Sequence, residues 1–200
     1  MKKSETKIIF GTPLATQNID NKKLIKELLS YVKKLRKKDR KGRVISNVGG
    51  WQSKDLNLRD KPLVNLFTWI NNSLTEFSQK YEFYQKRPFI ENIWANVNGY
   101  KDSNQQHTHM GARSPDFSSV LYLAIKDGSI HFRNPDPYIQ MMPAMSYLKP
   151  QFWNPCNSYE YYVTPLPGDL LIFPASIFHW VGPNMSKEDR ITLSFNWSIK

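Results

Sequence analysis

The stretch Pro167-Gly-Asp-Leu-Leu-Ile-Phe-Pro174, followed by His179 and by Arg190-Ile-Thr-Leu-Ser-Phe-Asn196, decides the fold class of this chain. Its first part is an apolar run bounded by Gly and Pro, which is typical of a buried strand. Its last part alternates polar and apolar residues with the period of two expected of a strand that buries one face. Two strands and two turns in so short a segment predict a barrel-like, mainly β fold, and the lone histidine between them is expected near its pocket.

The chain from Pro88 onwards has the same period of two. Between Phe89 and Asn98 one face is mostly apolar, whereas the other carries Trp94, Asn96 and Asn98. This amide-bearing face predicts either a wall of a cosubstrate pocket or a hydrogen-bonded sheet edge. Short strands without helical patterns between them indicate a sandwich or barrel rather than a parallel sheet. They are predicted at residues 118–125, 129–133, 158–164, 169–173 and 190–198.

The N-terminal part of the chain predicts two amphipathic helices. Apolar residues recur at helical spacing in residues 24–35 and again in residues 63–81. We expect Asp20 to cap the start of the first helix and Gly42 to end it. Pro62 suits the first turn of the second helix, where its missing N–H costs no hydrogen bond. A helical flank is therefore expected in front of the β core.

Three further segments of the chain have patterns that predict a strand, an irregular connection and a long loop. Residues 7–10 predict a short strand, because an apolar run is followed there by a Gly-Thr-Pro turn. Residues 43–53 predict an irregular connection, since Gly49 and Gly50 permit backbone angles that other residues resist. Residues 135–155 are rich in proline and methionine, and an irregular segment of that length is typical of a lid or binding loop.

The composition predicts one domain. Two hundred residues with 40% hydrophobic content can form one substantial core. We expect a single domain over residues 1–200, with a strand and a helical flank in 1–87 and the β core in 88–200. Cys156 is the only cysteine, so no intramolecular disulfide is expected. Because no apolar stretch suits a signal peptide or a membrane span, we expect a soluble cytoplasmic protein without a membrane partner.

The chain carries a formal net charge of +11, much of it between Lys22 and Arg43. A solvated helix face explains a run of lysines of this kind, and we favour that interpretation. The alternative is a surface that binds nucleic acid, to which a basic patch is attracted over a long range.

The histidines are the residues best suited to hold a metal ion. In an extended chain, His107 and His109 project to the same face, close enough to share one ion, although both could also be ordinary loop residues. His179 lies between two aromatic residues, where an exposed histidine is less expected. It is either a buried histidine bonded to the backbone or the third nitrogen ligand of a facial metal site with open positions.

The last predicted strand provides a candidate carboxylate receptor. Arg190, Thr192, Ser194 and Asn196 share one face of this strand. A guanidinium group binds a carboxylate through two parallel hydrogen bonds, and neighbouring hydroxyls add to such a site. The alternative is a half-exposed strand whose arginine faces water.

Taken together, these motifs resemble the superfamily of 2-oxoglutarate- and Fe(II)-dependent oxygenases of the prolyl-hydroxylase type. More narrowly, they resemble an oxygenase family common in marine phages and bacteria. The resemblance covers most of the chain, and the ordered combination is more specific than any single motif. The matching segments are Gly49-Gly-Trp-Gln-Ser53, Trp94-Ala-Asn96, His107-Thr-His109, Ser118-Ser-Val-Leu-Tyr-Leu123, residues 128–135, Pro167 to Pro174, His179 and Arg190 to Asn196.

The resemblance implies a double-stranded β-helix, the jelly-roll or cupin-like fold, with two N-terminal helices packed on one sheet. It implies that His107 and His179 bind iron and that Arg190 holds the distal carboxylate of 2-oxoglutarate. The possible helpers in that pocket are Thr192, Ser194, Tyr122 and Asn96. The implied reaction is a hydroxylation that consumes O2 and 2-oxoglutarate and releases succinate and CO2.

The resemblance leaves the substrate and the assembly open. The substrate is expected to be a protein side chain, a small metabolite or a nucleic acid. A homodimer is one of the possible assemblies, and the location would be the host cytoplasm if the protein is phage-encoded. Two alternatives to an oxygenase remain at this stage: a non-catalytic cupin-like module that binds a metal or a carboxylate, and a basic protein that binds nucleic acid.

One departure from the superfamily concerns the second metal ligand. Most members have Asp or Glu two positions after the first histidine, where this chain has His109. Asp116 and Asp102 are possible replacements, but His109 has the motif's spacing and is preferred. Three imidazoles would leave the charge of the metal without compensation from the protein. His131 is expected at the surface, with the pocket mouth as the alternative.

Overall fold

The computed structural model describes residues 11–80, 87–111, 114–136, 139, 154 and 157–200. The strand predicted at residues 7–10, most of the irregular segment at 135–155 and Cys156 lie outside these residues. The helices are α1 (Lys22–Lys38) and α2 (Lys61–Gln79). The strands are β1 (Ala15–Asn18), β2 (Asn47–Val48), β3 (Trp51–Gln52), β4 (Pro88–Asn98), β5 (Ser103–His107), β6 (Phe117–Ala124), β7 (Ile130–Arg133), β8 (Glu160–Val163), β9 (Asp169–Pro174), β10 (His179–Val181) and β11 (Arg190–Ile199).

The strands form two antiparallel sheets. The major sheet has six strands in the order β1-β9-β6-β11-β4-β3, and the minor sheet has five in the order β2-β5-β10-β7-β8. Strands adjacent in sequence, such as β10 and β11, belong to different sheets, so the chain winds repeatedly from one sheet to the other. This is the predicted double-stranded β-helix, and its pocket lies between the sheets.

Both helices cover the outer face of the major sheet. Leu28 of α1 and Leu66 of α2 are fully buried in one core cluster with Leu193 and Phe195 of β11. The polar residues that alternate with these β11 residues face the other sheet, so the period of two seen in the sequence separates core from pocket. The predicted packing of two helices on one sheet is confirmed. No helix in the described part of the chain has the length and apolarity required to cross a membrane.

The ends of α1 differ from the sequence-based expectation. The N-cap is Asn21, whose Oδ1 accepts a hydrogen bond from the Leu24 N–H at 3.0 Å, so the assignment to Asp20 was wrong. Asn and Asp cap helices equally well, and the apolar period does not fix the start to one residue. The helix ends at Lys38 rather than at Gly42, because Asp39 leaves the helical conformation and its carboxylate accepts the Gly42 N–H.

The segment 43–53 is more ordered than predicted and joins the two sheets. Its strand β2 pairs with β5 in the minor sheet, and β3 pairs with β4 in the major sheet. Gly49 and Gly50 make the turn between them with φ of 68° and 63°, a conformation that favours glycine. The Asp102 side chain packs against this turn, and a Cβ added at Gly49 would lie 2.0 Å from Asp102 Oδ1. The segment therefore closes one side of the space between the sheets.

Candidate active site

Three histidines meet at the edge of the space between the sheets. His107 is the last residue of β5 and His179 the first of β10, and the two are direct cross-strand partners. His109 follows β5 and is held by a hydrogen bond from its N–H to Ala175 O at 3.0 Å. One ligand atom from each ring lies within 4.8 Å of those of the other two. The histidines predicted from separate parts of the sequence thus form one cluster.

Backbone carbonyl groups orient two of the three rings. His107 Nδ1 lies 2.7 Å from Gln105 O, and His179 Nδ1 lies 3.0 Å from Ile177 O. Because a carbonyl oxygen can only accept, each Nδ1 carries the proton and leaves the Nε2 lone pair for a metal ion. His109 Nε2 lies 3.3 Å from His179 Nε2, so these two nitrogens already point at a common position.

Burial keeps the three rings neutral. Desolvation lowers the pKa of His107, whose hydrogen bond to Gln105 only partly opposes it. Burial, with a smaller effect of His107, lowers the pKa of His109 to about 4. Burial also lowers the pKa of His179 well below its ordinary value, and the other two histidines add to this effect. Neutral imidazole is the form that binds a metal, and nitrogen ligands with open positions beside them suit Fe(II).

Neither aspartate considered as a replacement ligand belongs to the cluster. Asp116 Oδ2 accepts the Ile199 N–H at 2.9 Å at the end of the major sheet. Asp102 Oδ2 accepts the Gly99 N–H at 2.7 Å beside the glycine turn. Within the described residues, the three histidines are the group of possible ligands close enough to hold one ion.

A cavity of about 230 Å³ extends from the histidines between the two sheets. Its floor is formed by the polar faces of β4 and β11, which the alternation in the sequence indicated. None of the described residues that line it is Asp or Glu. The amide side chains that line it are Gln52, Asn92, Asn96, Asn98, Asn104 and Asn196.

Arg190 supplies a buried positive charge to this cavity. Only 2% of the residue is exposed, and Nη2 donates to Gly182 O at 3.0 Å. Arg190 Nη1 and the Tyr122 hydroxyl are both buried without a hydrogen-bond partner among the described residues. Burial lowers the pKa of Arg190 and raises that of Tyr122, whose pKa the nearby guanidinium partly restores. Two unpaired donors, one of them on a buried cation, are costly unless an anion binds there, and a carboxylate is an anion that can accept from both.

Asn96 orders the middle of the cavity floor. Its Nδ2 donates to Thr192 Oγ1 at 3.3 Å and to Ser194 Oγ at 3.1 Å, so the two predicted helper hydroxyls already have a partner. Asn96 Oδ1 is buried and has no hydrogen-bond partner in the described part of the chain. The pairs Thr192–Asn96 and Ser194–Trp94 are cross-strand neighbours of β11 and β4. The Trp94 ring lies 5.7 Å from the His109 ring, which links this wall to the histidine cluster.

Gly128 controls the space around the Arg190 guanidinium. It has φ of 103°, and a Cβ added to it would lie 2.3 Å from Arg190 Nη1. We expect Gly128→Ala to displace Nη1 and to weaken 2-oxoglutarate binding at least tenfold, about 1.4 kcal/mol. The same change should lower the unfolding free energy by about 1–3 kcal/mol, because alanine resists this backbone conformation.

Calorimetric titration of 2-oxoglutarate and thermal unfolding of the Gly128→Ala protein measure the two effects separately. Gly11→Ala is the matched control, since a Cβ at Gly11 has no neighbour within 4 Å. A folded Gly128→Ala protein with unchanged 2-oxoglutarate affinity would contradict the role given to Gly128.

Arg43 lines the cavity although the sequence did not place it there, whereas His131 does not line it. Arg43, grouped by the sequence with solvent-facing cations, lines the cavity beside Gln52. The sequence offered one signal that Arg43 could belong to the cavity: it lies after the end of α1 and shortly before the Gly49-to-Ser53 motif. His131 lies away from the cavity, with its ring stacked on Trp180 at 5.1 Å and its Nδ1 3.5 Å from Glu160.

The comparisons with known proteins agree with this geometry. Residues 92–196 match a family model described as "Putative 2OG-Fe(II) oxygenase". None of the curated protein sequences matches the chain. The matched segment contains all three clustered histidines and Arg190.

Solved structures show the same fold at low sequence identity. A Pseudomonas putida prolyl-4-hydroxylase superposes with a TM-score of 0.64 at 13% identity, covering 92% of this chain and 91% of that chain. HygX from Streptomyces hygroscopicus, with nickel, 2-oxoglutarate and hygromycin B bound, gives a TM-score of 0.62 at 11% identity and covers 94% and 83%. A Trichoplax adhaerens prolyl hydroxylase in complex with a hypoxia inducible factor peptide gives 0.62 at 12% identity and covers 92% and 83%.

Proposed function

The chain belongs to the 2OG-Fe(II) oxygenase family, and we propose that His107, His109 and His179 bind its Fe(II) while Arg190 and Tyr122 bind the distal carboxylate of 2-oxoglutarate. The observation that supports this assignment most directly is that one cavity contains both a candidate metal site and a candidate anion site. A cluster of neutral imidazoles lies at one place, and two unpaired donors with a buried positive charge lie at another.

The residues of the chain prepare the site for its ligands. The carbonyl groups of Gln105 and Ile177 fix two imidazoles with Nε2 free, so little reorganisation is needed when a metal ion binds. A bound Fe(II) would activate O2, which is the oxidant: one oxygen atom would go to the C–H bond of the substrate and the other to 2-oxoglutarate, which leaves as succinate and CO2. Because the proposed ligands are neutral, the positive charge of the site favours a dianionic cosubstrate.

The substrate of this chain is a separate question. The structural neighbours hold different molecules: a peptide in the Trichoplax adhaerens enzyme and hygromycin B in HygX. In the present chain, the cavity wall offers amide and hydroxyl groups and no described carboxylate, and Arg43 is among the residues that line it. This lining is suited to a polar or anionic substrate that is held by hydrogen bonds.

Succinate formation tests the proposal. Purified protein given Fe(II), 2-oxoglutarate, ascorbate and O2 is expected to release succinate slowly without substrate, and a metal chelator is expected to stop it. Calorimetry under anaerobic conditions should detect 2-oxoglutarate binding that depends on Fe(II). If the folded protein neither binds 2-oxoglutarate nor forms succinate, the non-catalytic cupin-like module becomes the better account.

A further inference from the structure

The positive charge of this protein is concentrated in one segment. Residues 22–43 contain eleven of the 28 lysines and arginines and two of the 17 acidic residues. Nine of the eleven net charges therefore lie in this segment, and the remainder of the chain is close to neutral. We use the name basic segment for residues 33–43, which comprise the C-terminal part of α1 and the turn after it.

The cations of the basic segment are mostly unpaired. Within the described residues, its ion pairs are Arg36 with Asp189 at 2.8 Å and Arg43 with Asp55 at 2.6 Å. A solvated helix face usually alternates charges of both signs, whereas lysines four residues apart on this helix repel one another. The dipole of α1 favours the cations of its last turn, whereas the repulsion between lysines one turn apart opposes the helix, so helix stability alone does not account for the whole run of cations. The exposed members without an ion pair are Lys33, Lys34, Lys37, Lys38, Arg40 and Lys41.

The basic segment has a fixed position beside the cavity. The Trp51 indole Nε1 donates to Asp39 O at 2.6 Å, and the Arg43 N–H donates to Gln52 O at 2.8 Å. Trp51 is buried and Gln52 lines the cavity, so the turn after α1 is attached to the cavity wall. The ion pair from Arg36 attaches the helix to the residue that precedes Arg190. These contacts fix the backbone that carries the exposed cations relative to the site.

Arg43 connects the basic segment to the interior of the cavity. Arg43 is one of the residues that line the cavity, and its Nη2 donates to Asp55, but within the described residues its buried Nε has no hydrogen-bond partner. A buried guanidinium N–H without an acceptor indicates that an anionic or carbonyl oxygen is missing there. Arg43 therefore extends the basic segment to the cavity wall and offers a hydrogen-bond donor there, although Asp55 compensates part of its charge.

The cavity wall has the chemistry that recognises a nucleobase. Side-chain amides present a donor and an acceptor side by side, as the hydrogen-bonding edges of bases do. Amides line the cavity on β4, β5 and β11, and although several bond to one another or to hydroxyls, Asn96 Oδ1 has no partner within the described residues. A cavity between two sheets admits a nucleotide only when that nucleotide is free of a duplex. An acidic peptide would also match the sign of the surface charge, but a nucleic acid carries a phosphate on every unit of its backbone, which suits the closely spaced cations of the basic segment better.

We propose that the basic segment binds the phosphate backbone of a single-stranded nucleic acid and directs one nucleotide past Arg43 into the cavity. This rests on the proposed function, because the nucleotide would be the group that the oxygenase modifies. The bound strand replaces water and salt ions around the unpaired lysines and places a phosphate or a base carbonyl within reach of Arg43.

Fluorescence anisotropy with a labelled single strand of about 15 nucleotides tests this surface. The protein is loaded with Fe(II) and 2-oxoglutarate without O2, and DNA and RNA strands of the same mixed sequence are compared. With about five phosphate contacts, affinity should fall about 100-fold between 50 and 200 mM salt. Weak binding with little dependence on salt would overturn the proposal.

Two matched triple variants locate the binding surface. Lys37→Gln with Lys38→Gln and Lys41→Gln removes three charges from the basic segment and should weaken binding about 100-fold at about 100 mM salt. Lys22→Gln with Lys23→Gln and Lys26→Gln removes as many charges from the other end of α1, about 22 Å away. At that distance, two Debye lengths or more, the control should change affinity little. Equal losses in the two variants would overturn the location.

Competitors separate the substrate classes. A duplex of the same sequence and poly-glutamate should each displace the single strand much less well than the unlabelled strand does. Tighter binding of poly-glutamate would assign the surface to an acidic polypeptide and overturn the nucleic-acid proposal. Failure of the proposed function itself would appear differently, as a wild-type protein that binds no 2-oxoglutarate whatever its affinity for the strand.

Discussion

Replacing His179 with alanine is expected to lower the affinity for Fe(II) more than roughly 100-fold. Loss of a residue that only hydrogen-bonds to a metal ligand costs about 10–100-fold, and this change removes a proposed ligand itself. Succinate formation should fall below detection. His179 is 4% exposed, its ring is fixed by Ile177 O, and its Nε2 faces His109 Nε2. Two imidazoles would remain, which is too few to hold Fe(II) against water and buffer ligands.

Anaerobic titration of Fe(II) measures this effect directly, and thermal unfolding shows whether the variant is folded. His131→Ala is the matched control, since it removes a histidine from the outer face of the minor sheet, away from the cavity. His109→Ala should behave as His179→Ala does. If His109→Ala retains wild-type iron affinity while His179→Ala loses it, the third ligand is another group and the proposed triad is wrong.

The parts of the fold that follow from local periodicity could be predicted from the sequence. The alternation along β11 placed Arg190, Thr192 and Ser194 on one face, and the structure puts that face in the cavity. The spacing of apolar residues located both helices within a few residues. The period of apolar residues is a property of a single segment, so it can be recognised before the partners of that segment are known.

The shortest strands could not be predicted, because pairing between distant segments creates them. Strands β2 and β3 have two residues each, and β10 has three. Such runs carry no period, and they become strands only because β4, β5 and β7 offer hydrogen-bonding edges. The segment around Gly49 was therefore interpreted as an irregular connection.

The candidate site, like the fold, could be predicted only in part from the sequence. His109 and His179 are 70 residues apart in sequence, and spacing alone did not show that they meet. The resemblance to the oxygenase superfamily supplied that information. Arg43 was missed because the direction of its side chain depends on its backbone bridge to Gln52, which belongs to a strand too short to recognise.

The unpaired groups of the cavity suit different ligands at different positions. Arg190 Nη1 and the Tyr122 hydroxyl can donate to an anion, whereas Asn96 Oδ1 can only accept. The carboxylates and ketone of 2-oxoglutarate accept hydrogen bonds and offer none at neutral pH. Asn96 Oδ1 is therefore better suited to a donor on the substrate or to a water molecule than to the cosubstrate, for which Asn96 was first considered.

Replacing Arg190 with methionine should weaken 2-oxoglutarate binding by about 2–5 kcal/mol, roughly 30- to 5,000-fold, the usual cost of truncating one partner of a buried charge pair. Arg190→Lys keeps the charge but loses the two-pronged geometry, so its affinity should lie between those of methionine and wild type. The affinity for Fe(II) alone should change little in both variants, because Arg190 binds Gly182 O rather than the histidines.

Anaerobic calorimetry with 2-oxoglutarate, and separately with Fe(II), distinguishes this role from a structural one. A general disturbance of the cavity would weaken both ligands together, whereas loss of the carboxylate receptor weakens only 2-oxoglutarate. Tyr122→Phe removes one donor and leaves the guanidinium, so it should cost about 0.5–1.5 kcal/mol, or up to 3 kcal/mol if the bond to the carboxylate is charge-assisted. Unchanged 2-oxoglutarate affinity in a folded Arg190→Met protein would place the carboxylate elsewhere. The buried charge of Arg190 would then need another anion to compensate it.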